Sequence, residues 1–139
     1  MVEIIAGEKG KGKTKYLLDK VNNDVAHATG NIVYLDKSQK HMHELTNKVR
    51  LINVTDYPIS NSDEFIGFIC GIVSQDYDLQ EMYLDSFLTI ASVADDQIAH
   101  VIEKLDMISE KYGVKFVLSV SRNAADLPEL ARSKVLISL

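Results

Sequence analysis

The segment of the sequence with the clearest chemical potential is Gly7-Glu8-Lys9-Gly10-Lys11-Gly12-Lys13-Thr14, which fits G-x-x-x-x-G-K-[ST] at every fixed position. The spacing suits a triphosphate. Triphosphate oxygens need several donors converging on one point, and a compact loop of backbone N–H groups makes such a nest. Glycines let that backbone come close and take positive φ. Lys13 would reach the β- and γ-phosphates, and the Thr14 hydroxyl would hold Mg²⁺. A helix beginning near Lys13 would add the partial positive charge of its N-terminus. Lys9, Lys11, Lys13 and Lys15 fall within seven positions of a chain with 15 lysines and arginines in all. The expected nucleotide-binding set is therefore Gly7, Glu8, Lys9, Gly10, Lys11, Gly12, Lys13, Thr14 and Lys15. Within it Lys9 and Lys11 also suit a solvated loop, and Lys15 the surface of the first helical turn. The bare pattern arises by chance in roughly one chain of this length in a few hundred. The apolar run before it and the amphipathic segment after it supply the strand–loop–helix context that the motif requires.

A triphosphate loop needs a carboxylate from another strand to hold the water shell of the metal. Asp85, closing Met82-Tyr83-Leu84-Asp85, fits a Walker B aspartate, so Thr14 and Asp85 are the expected Mg²⁺ ligands and ATP with Mg²⁺ the expected cofactors. Hydrolysis further needs a base or orienting group for the attacking water. Many ATPases carry a glutamate directly after the Walker B aspartate, where this chain has Ser86.

Asp85-Ser86 resembles the Walker B end of the RecA-like branch of P-loop ATPases. In that branch the catalytic glutamate lies just beyond the second strand, in a motif like Tyr-Ile-Asp-x-Glu. Tyr34-Leu35-Asp36-Lys37-Ser38 matches the tyrosine and the aspartate but has Ser38 where the glutamate belongs. The resemblance thus leaves Asp36, or Glu8 within the loop, or neither, as the base; Lys13 and Asp36 are the catalytic candidates. It also implies a γ-phosphate sensor at the end of the strand after Walker B, where Ser119-Val120-Ser121-Arg122-Asn123 stands. Ser121 or Asn123 could read the phosphate and Arg122 could neutralise charge in its own or a neighbouring subunit, while a plain surface loop fits the same residues. Glu8 directly after Gly7 separates the loop from the ParA/MinD-like variant, which has lysine there.

The elements that must carry these groups follow from periodicity. Val2–Ala6, Ile32–Leu35, Val49–Val54, Glu81–Asp85, Val114–Val120 and Lys134–Ser138 read as strands. Leu17, Leu18, Val21, Val25 and Ala28 recur at helical spacing, with Gly30 as the stop. A polar stretch from Ser38 to Asn47 is expected to be helical. Ser60-Asn61-Ser62-Asp63 offers capping residues for a helix over about 62–75. Ile98, Val101, Ile102, Leu105 and Ile108 mark a long helix closing at Tyr112-Gly113, and a short helix spans about Asp126–Arg132. Strands alternating with helices predict a single-domain, three-layer α/β/α sandwich on a mainly parallel sheet, and the resemblance implies that this is a P-loop NTPase fold. The RecA-like resemblance implies strand order 3-2-4-5-1-6, with the strand ending at Ser121 between the loop strand and the Asp85 strand. A kinase- or GTPase-type sheet would put those two side by side.

Composition bounds the remaining possibilities. At 139 residues, 46% apolar and 25% charged, the chain is an ordinary globular domain. A net charge of −5 argues against broad nucleic-acid or membrane-surface binding. The run Phe65–Val73 is about half as long as a membrane span requires, and no signal segment opens the chain, so a cytoplasmic protein is expected. Cys70, the lone cysteine, is expected to be a buried small apolar residue. His41-Met42-His43-Glu44 reads as a solvent-facing helix, because neighbours at i and i+2 cannot converge on one metal ion. Asp95-Asp96 suits a helix start. No guanine-reading motif and no arginine-rich lid occur. The leading expectation is an ATP-binding, weakly hydrolysing protein whose nucleotide state controls association with itself or an unknown protein partner. A small-molecule phosphotransferase and a non-enzymatic module retaining the loop are the competing classes.

Overall fold

The computed structural model describes residues 1–139. Its elements, in chain order, are β1 (Val2–Ala6), α1 (Lys13–Val25), β2 (Asn31–Asp36), β3 (Val49–Asn53), α2 (Ser62–Gln75), β4 (Leu79–Leu84), α3 (Phe87–Ile90), α4 (Ile98–Tyr112), β5 (Lys115–Val120), α5 (Glu129–Arg132) and β6 (Val135–Ser138). The strands form one sheet in the order β3-β2-β4-β5-β1-β6, and every neighbouring pair is parallel. This is the order implied by the RecA-like resemblance.

The sheet is parallel because its strands are apolar on both faces and each needs cover on both sides. Ile5, Ile32, Tyr34, Tyr83 and Val117 face α1 and pack on Leu17, Leu18 and Val21. Ile4, Val33, Leu35, Met82, Leu84, Phe116 and Leu118 face the other way, toward Phe65 and Ile69 of α2 and Val101, Ile102 and Leu105 of α4. The second cluster has 26 buried residues against 9 in the first, so α2 and α4 supply most of the cover. β5 lies between β1 and β4, so the connections leaving β1, β5 and β4 share one edge of the sheet, the usual ligand edge of such sheets.

Helix ends follow their local chemistry. Asn61 caps α2 by accepting the Glu64 N–H at 2.9 Å, and Gly113 ends α4 at φ 69°. Several boundaries differ from those expected. α1 stops at Val25, because its last turn tightens into bonds from His27 N to Asp24 O at 3.0 Å and from Ala28 N to Val25 O at 3.4 Å. Gly30 is not its stop: a Cβ there would sit 2.3 Å from the Asp78 carbonyl oxygen, so the glycine permits a close crossing of two chain segments. Residues 38–47 hold only a 3₁₀ turn at Met42–Glu44, since Met42 and Leu45 alone do not make an apolar stripe that could dock. The expected helix over 126–132 divides at Pro128, which leads into α5. Cys70 is exposed rather than buried. Phe65, Ile69 and Val73 define the inner face of α2, and one residue past Ile69 is a turn of about 100° away from it. No helix is long and apolar enough to cross a membrane.

Candidate functional site

β1 is buried to its last residue, and the chain then leaves the sheet through a loop that needs glycine. Gly10 and Gly12 have φ of 87° and 92°, a region that L side chains rarely adopt. Gly7 is needed for space: a Cβ on it would lie 3.2 Å from both Cβ and the carbonyl oxygen of Leu139. Gly12 passes directly into α1, whose first turn carries Lys13 and Thr14. Lys13 is only 8% exposed and donates through Nζ to the Glu8 carbonyl at 3.0 Å. Burial lowers its pKa, an effect that the negative Asp85 partly opposes. The ammonium group therefore sits in a partly desolvated place, held by a loop carbonyl, beside a carboxylate.

Asp85 follows β4 and is 2% exposed. Its Oδ1 accepts from Ser119 Oγ at 2.6 Å, from the Ser86 N–H at 2.9 Å and from Thr14 Oγ1 at 3.3 Å, while Oδ2 accepts from Tyr34 Oη at 2.8 Å. Burial, with Asp85 beside it, pushes the Tyr34 phenol far up, so it stays protonated and remains a donor. Ser86 has φ 53°, uncommon for a residue with a side chain, and this turn aims its N–H back at Asp85 and at Ser119 Oγ.

Asp36 closes β2 and is 3% exposed. Its Oδ1 accepts the Lys37 N–H at 2.7 Å, and its Oδ2 has no partner. Burial raises its pKa; the Lys37 bond works against that rise and nearby Asp85 adds to it. An unpartnered carboxylate oxygen that lines a cleft, its basicity raised by burial, is suited to accept a proton when ionised.

These groups converge on one cleft of about 650 Å³ at the C-terminal edge of the sheet. Lys9, Gly10, Gly12, Lys13, Thr14, Asp36 and Asp85 line it, as do Ser38, Ser86 and Ser121. Glu8 does not: it accepts from Asn123 Nδ2 at 2.9 Å, tying the loop to the segment after β5. Arg122 reaches the cleft rim but holds Asp95 Oδ1 at 2.8 Å. Gly7 is at the base of the loop, and Lys11 projects to solvent. Lys15 pairs with Asp19 at 3.1 Å on an exposed face of α1. The Thr14 hydroxyl and the Asp85 carboxylate, neutral and anionic oxygen ligands side by side, fit a hydrated divalent cation.

Sequence reasoning missed Tyr34 and Ser119 as the groups that hold Asp85. Both signals were present: Tyr34 lies two residues before Asp36, and so on the same face of β2, and Ser119 is a lone hydroxyl in an apolar strand. It also missed Lys37, Lys40 and His41, which line the cleft from the irregular segment after β2. His41 was expected on a solvent-facing helix; its Nδ1 lies 3.3 Å from Glu44 Oε2.

No protein-family model matches the chain, and no curated protein matches it. Among solved structures it is similar to the flagellar accessory protein FlaH from Methanocaldococcus jannaschii, with a TM-score of 0.57 at 12% identity. The match covers 95% of this chain and 65% of FlaH, so the chain spans slightly less than two thirds of that protein. At this identity the likeness concerns the fold: a RecA-like, all-parallel α/β architecture.

Proposed function

We propose that this chain is a P-loop protein that binds ATP with Mg²⁺, hydrolyses it slowly or on stimulation by a partner, and uses its nucleotide state to control association. The observation that carries this is the convergence of Lys13, Thr14 and Asp85. The last two are 3.3 Å apart, on a sheet edge built in the strand order of RecA-like ATPases.

The residues divide the work. The backbone N–H groups from Gly10 to Thr14 cradle the phosphates, and Lys13 exchanges the Glu8 carbonyl for β- and γ-phosphate oxygens. Thr14 and Asp85 hold the cation, with Asp85 fixed by Tyr34 and Ser119. Mg²⁺ supplies charge neutralisation of the triphosphate. Asp36 accepts the proton of the attacking water as the new bond to the γ-phosphorus forms and the bond to the ADP oxygen breaks. Ser38, standing where RecA-like enzymes have a glutamate, contributes no base, so the basal rate is expected to be slow.

Thermal unfolding tests the reading. Mg²⁺ with ATP or ATP-γ-S is expected to raise the melting temperature, by linkage worth about 2.7 kcal/mol when ligand exceeds Kd a hundredfold. Lys13→Ala is expected to abolish the shift without unfolding the protein. The absence of any shift at millimolar nucleotide would contradict the proposal.

A further inference from the structure

The cleft is built for anions and offers almost nothing to a base. Of the 18 residues that line it, two are hydrophobic, Leu88 and Val93, and the one aromatic ring is the imidazole of His41, tied to Glu44 Oε2 at 3.3 Å. A nucleobase is ordinarily held by a flat apolar or aromatic face, and stacking on an aromatic is worth about 1–3 kcal/mol per base. Tyr34, which reaches Asp85, is fully buried behind it and has no face to present. Base edges are told apart by groups with a fixed donor–acceptor pattern, such as amides. No Asn or Gln lines the cleft; apart from His41, whose Nδ1 is turned to Glu44, its neutral polar side chains are Ser and Thr hydroxyls, which rotate to donate or accept and so do not separate an amino group from a keto group.

Cations, by contrast, come from both walls. Lys9 and Lys13 stand on the loop side, and Lys37 and Lys40 on the side that follows β2. None of these four forms a salt bridge, although the chain carries a net charge of −5. Four unpaired ammonium groups around two buried carboxylates make a site whose attraction is for a multiply charged chain and its counter-cation.

We propose that the site recognises the magnesium-bound triphosphate chain itself and is indifferent to the base. Nucleoside triphosphates are then interchangeable in binding, and inorganic tripolyphosphate is a ligand in its own right. This rests on the triphosphate-binding function proposed above and names what that site selects.

Calorimetric titration of the full chain, in excess Mg²⁺, with ATP, GTP, CTP and inorganic tripolyphosphate tests it. The four dissociation constants are expected to agree within about tenfold. Lys37→Ala combined with Lys40→Ala is expected to weaken all four by a common factor. The inference fails if ATP binds more than about tenfold tighter than GTP and CTP, or if tripolyphosphate gives no binding where ATP saturates. Failure of ATP and every other ligand to bind would instead overturn the triphosphate site as well, so the two failures are distinguishable.

Discussion

Asp85 receives hydrogen bonds from α1, β2, β5 and the turn that follows it, so a single carboxylate registers the positions of four parts of the fold. Removing the Tyr34 hydroxyl with Tyr34→Phe strips Oδ2 of its donor. The expected loss is about 1–3 kcal/mol of stability, read from chemical denaturation, with more Mg²⁺ needed to reach the nucleotide-induced shift. Asp36 behaves in the opposite sense. Its folded-state pKa lies above the unfolded value, so the native state keeps a proton that the unfolded chain has released, and stability falls as pH rises through that window. Asp36→Asn keeps the acceptor for the Lys37 N–H and removes the charge. Its melting temperature relative to the parent is expected to climb as pH rises above the ordinary aspartate range, from about pH 4 upward, while any ATPase activity falls. A constant difference across that range would mean that Asp36 titrates normally. Gly10, Gly12, Lys13, Thr14 and Asp85 were legible in the sequence as residues of one cleft because the loop has a fixed spacing and Asp85 closes an apolar strand. Lys37, Lys40 and His41 were not, because the segment that brings them to the cleft has no periodicity to read.

Strands and long helices matched the sequence pattern where burial dictates it. β5 and α4 were placed within a residue or two, since Phe116–Leu118 is continuously apolar and Val101, Ile102 and Leu105 repeat at helical spacing. The errors fell where a contact distant in sequence decides the outcome. Gly30 read as a helix stop, but its role is set by Asp78, which crosses it in space. Gly30→Ala is expected to cost about 1–3 kcal/mol, because the added Cβ meets a backbone oxygen that cannot rotate away. Equilibrium unfolding in urea checks this, and a neutral effect would show that the crossing relaxes without penalty. Cys70 was misplaced for a related reason: α2 is apolar nearly all round, and only the packed fold selects Phe65, Ile69 and Val73 as the inner face.

At the scale of the whole molecule, the order β3-β2-β4-β5-β1-β6 gives the cleft its shape, since β5 separates β1 from β4 and the loop and Asp85 meet across its C-terminal end. Around that edge the chain is nearly bare. Arg122 is held by Asp95 at the cleft rim. If association completes the site, the ATPase rate per chain rises with protein concentration; a flat rate would mean that each chain acts alone. The central claim is tested most directly by diffraction from crystals grown with Mg²⁺ and ATP-γ-S. The expected density shows the triphosphate wrapped by the backbone from Gly10 to Thr14, Lys13 on the β- and γ-phosphates, and the cation between Thr14 and Asp85. A nucleotide bound elsewhere, or a cleft without one at saturating concentration, would contradict it.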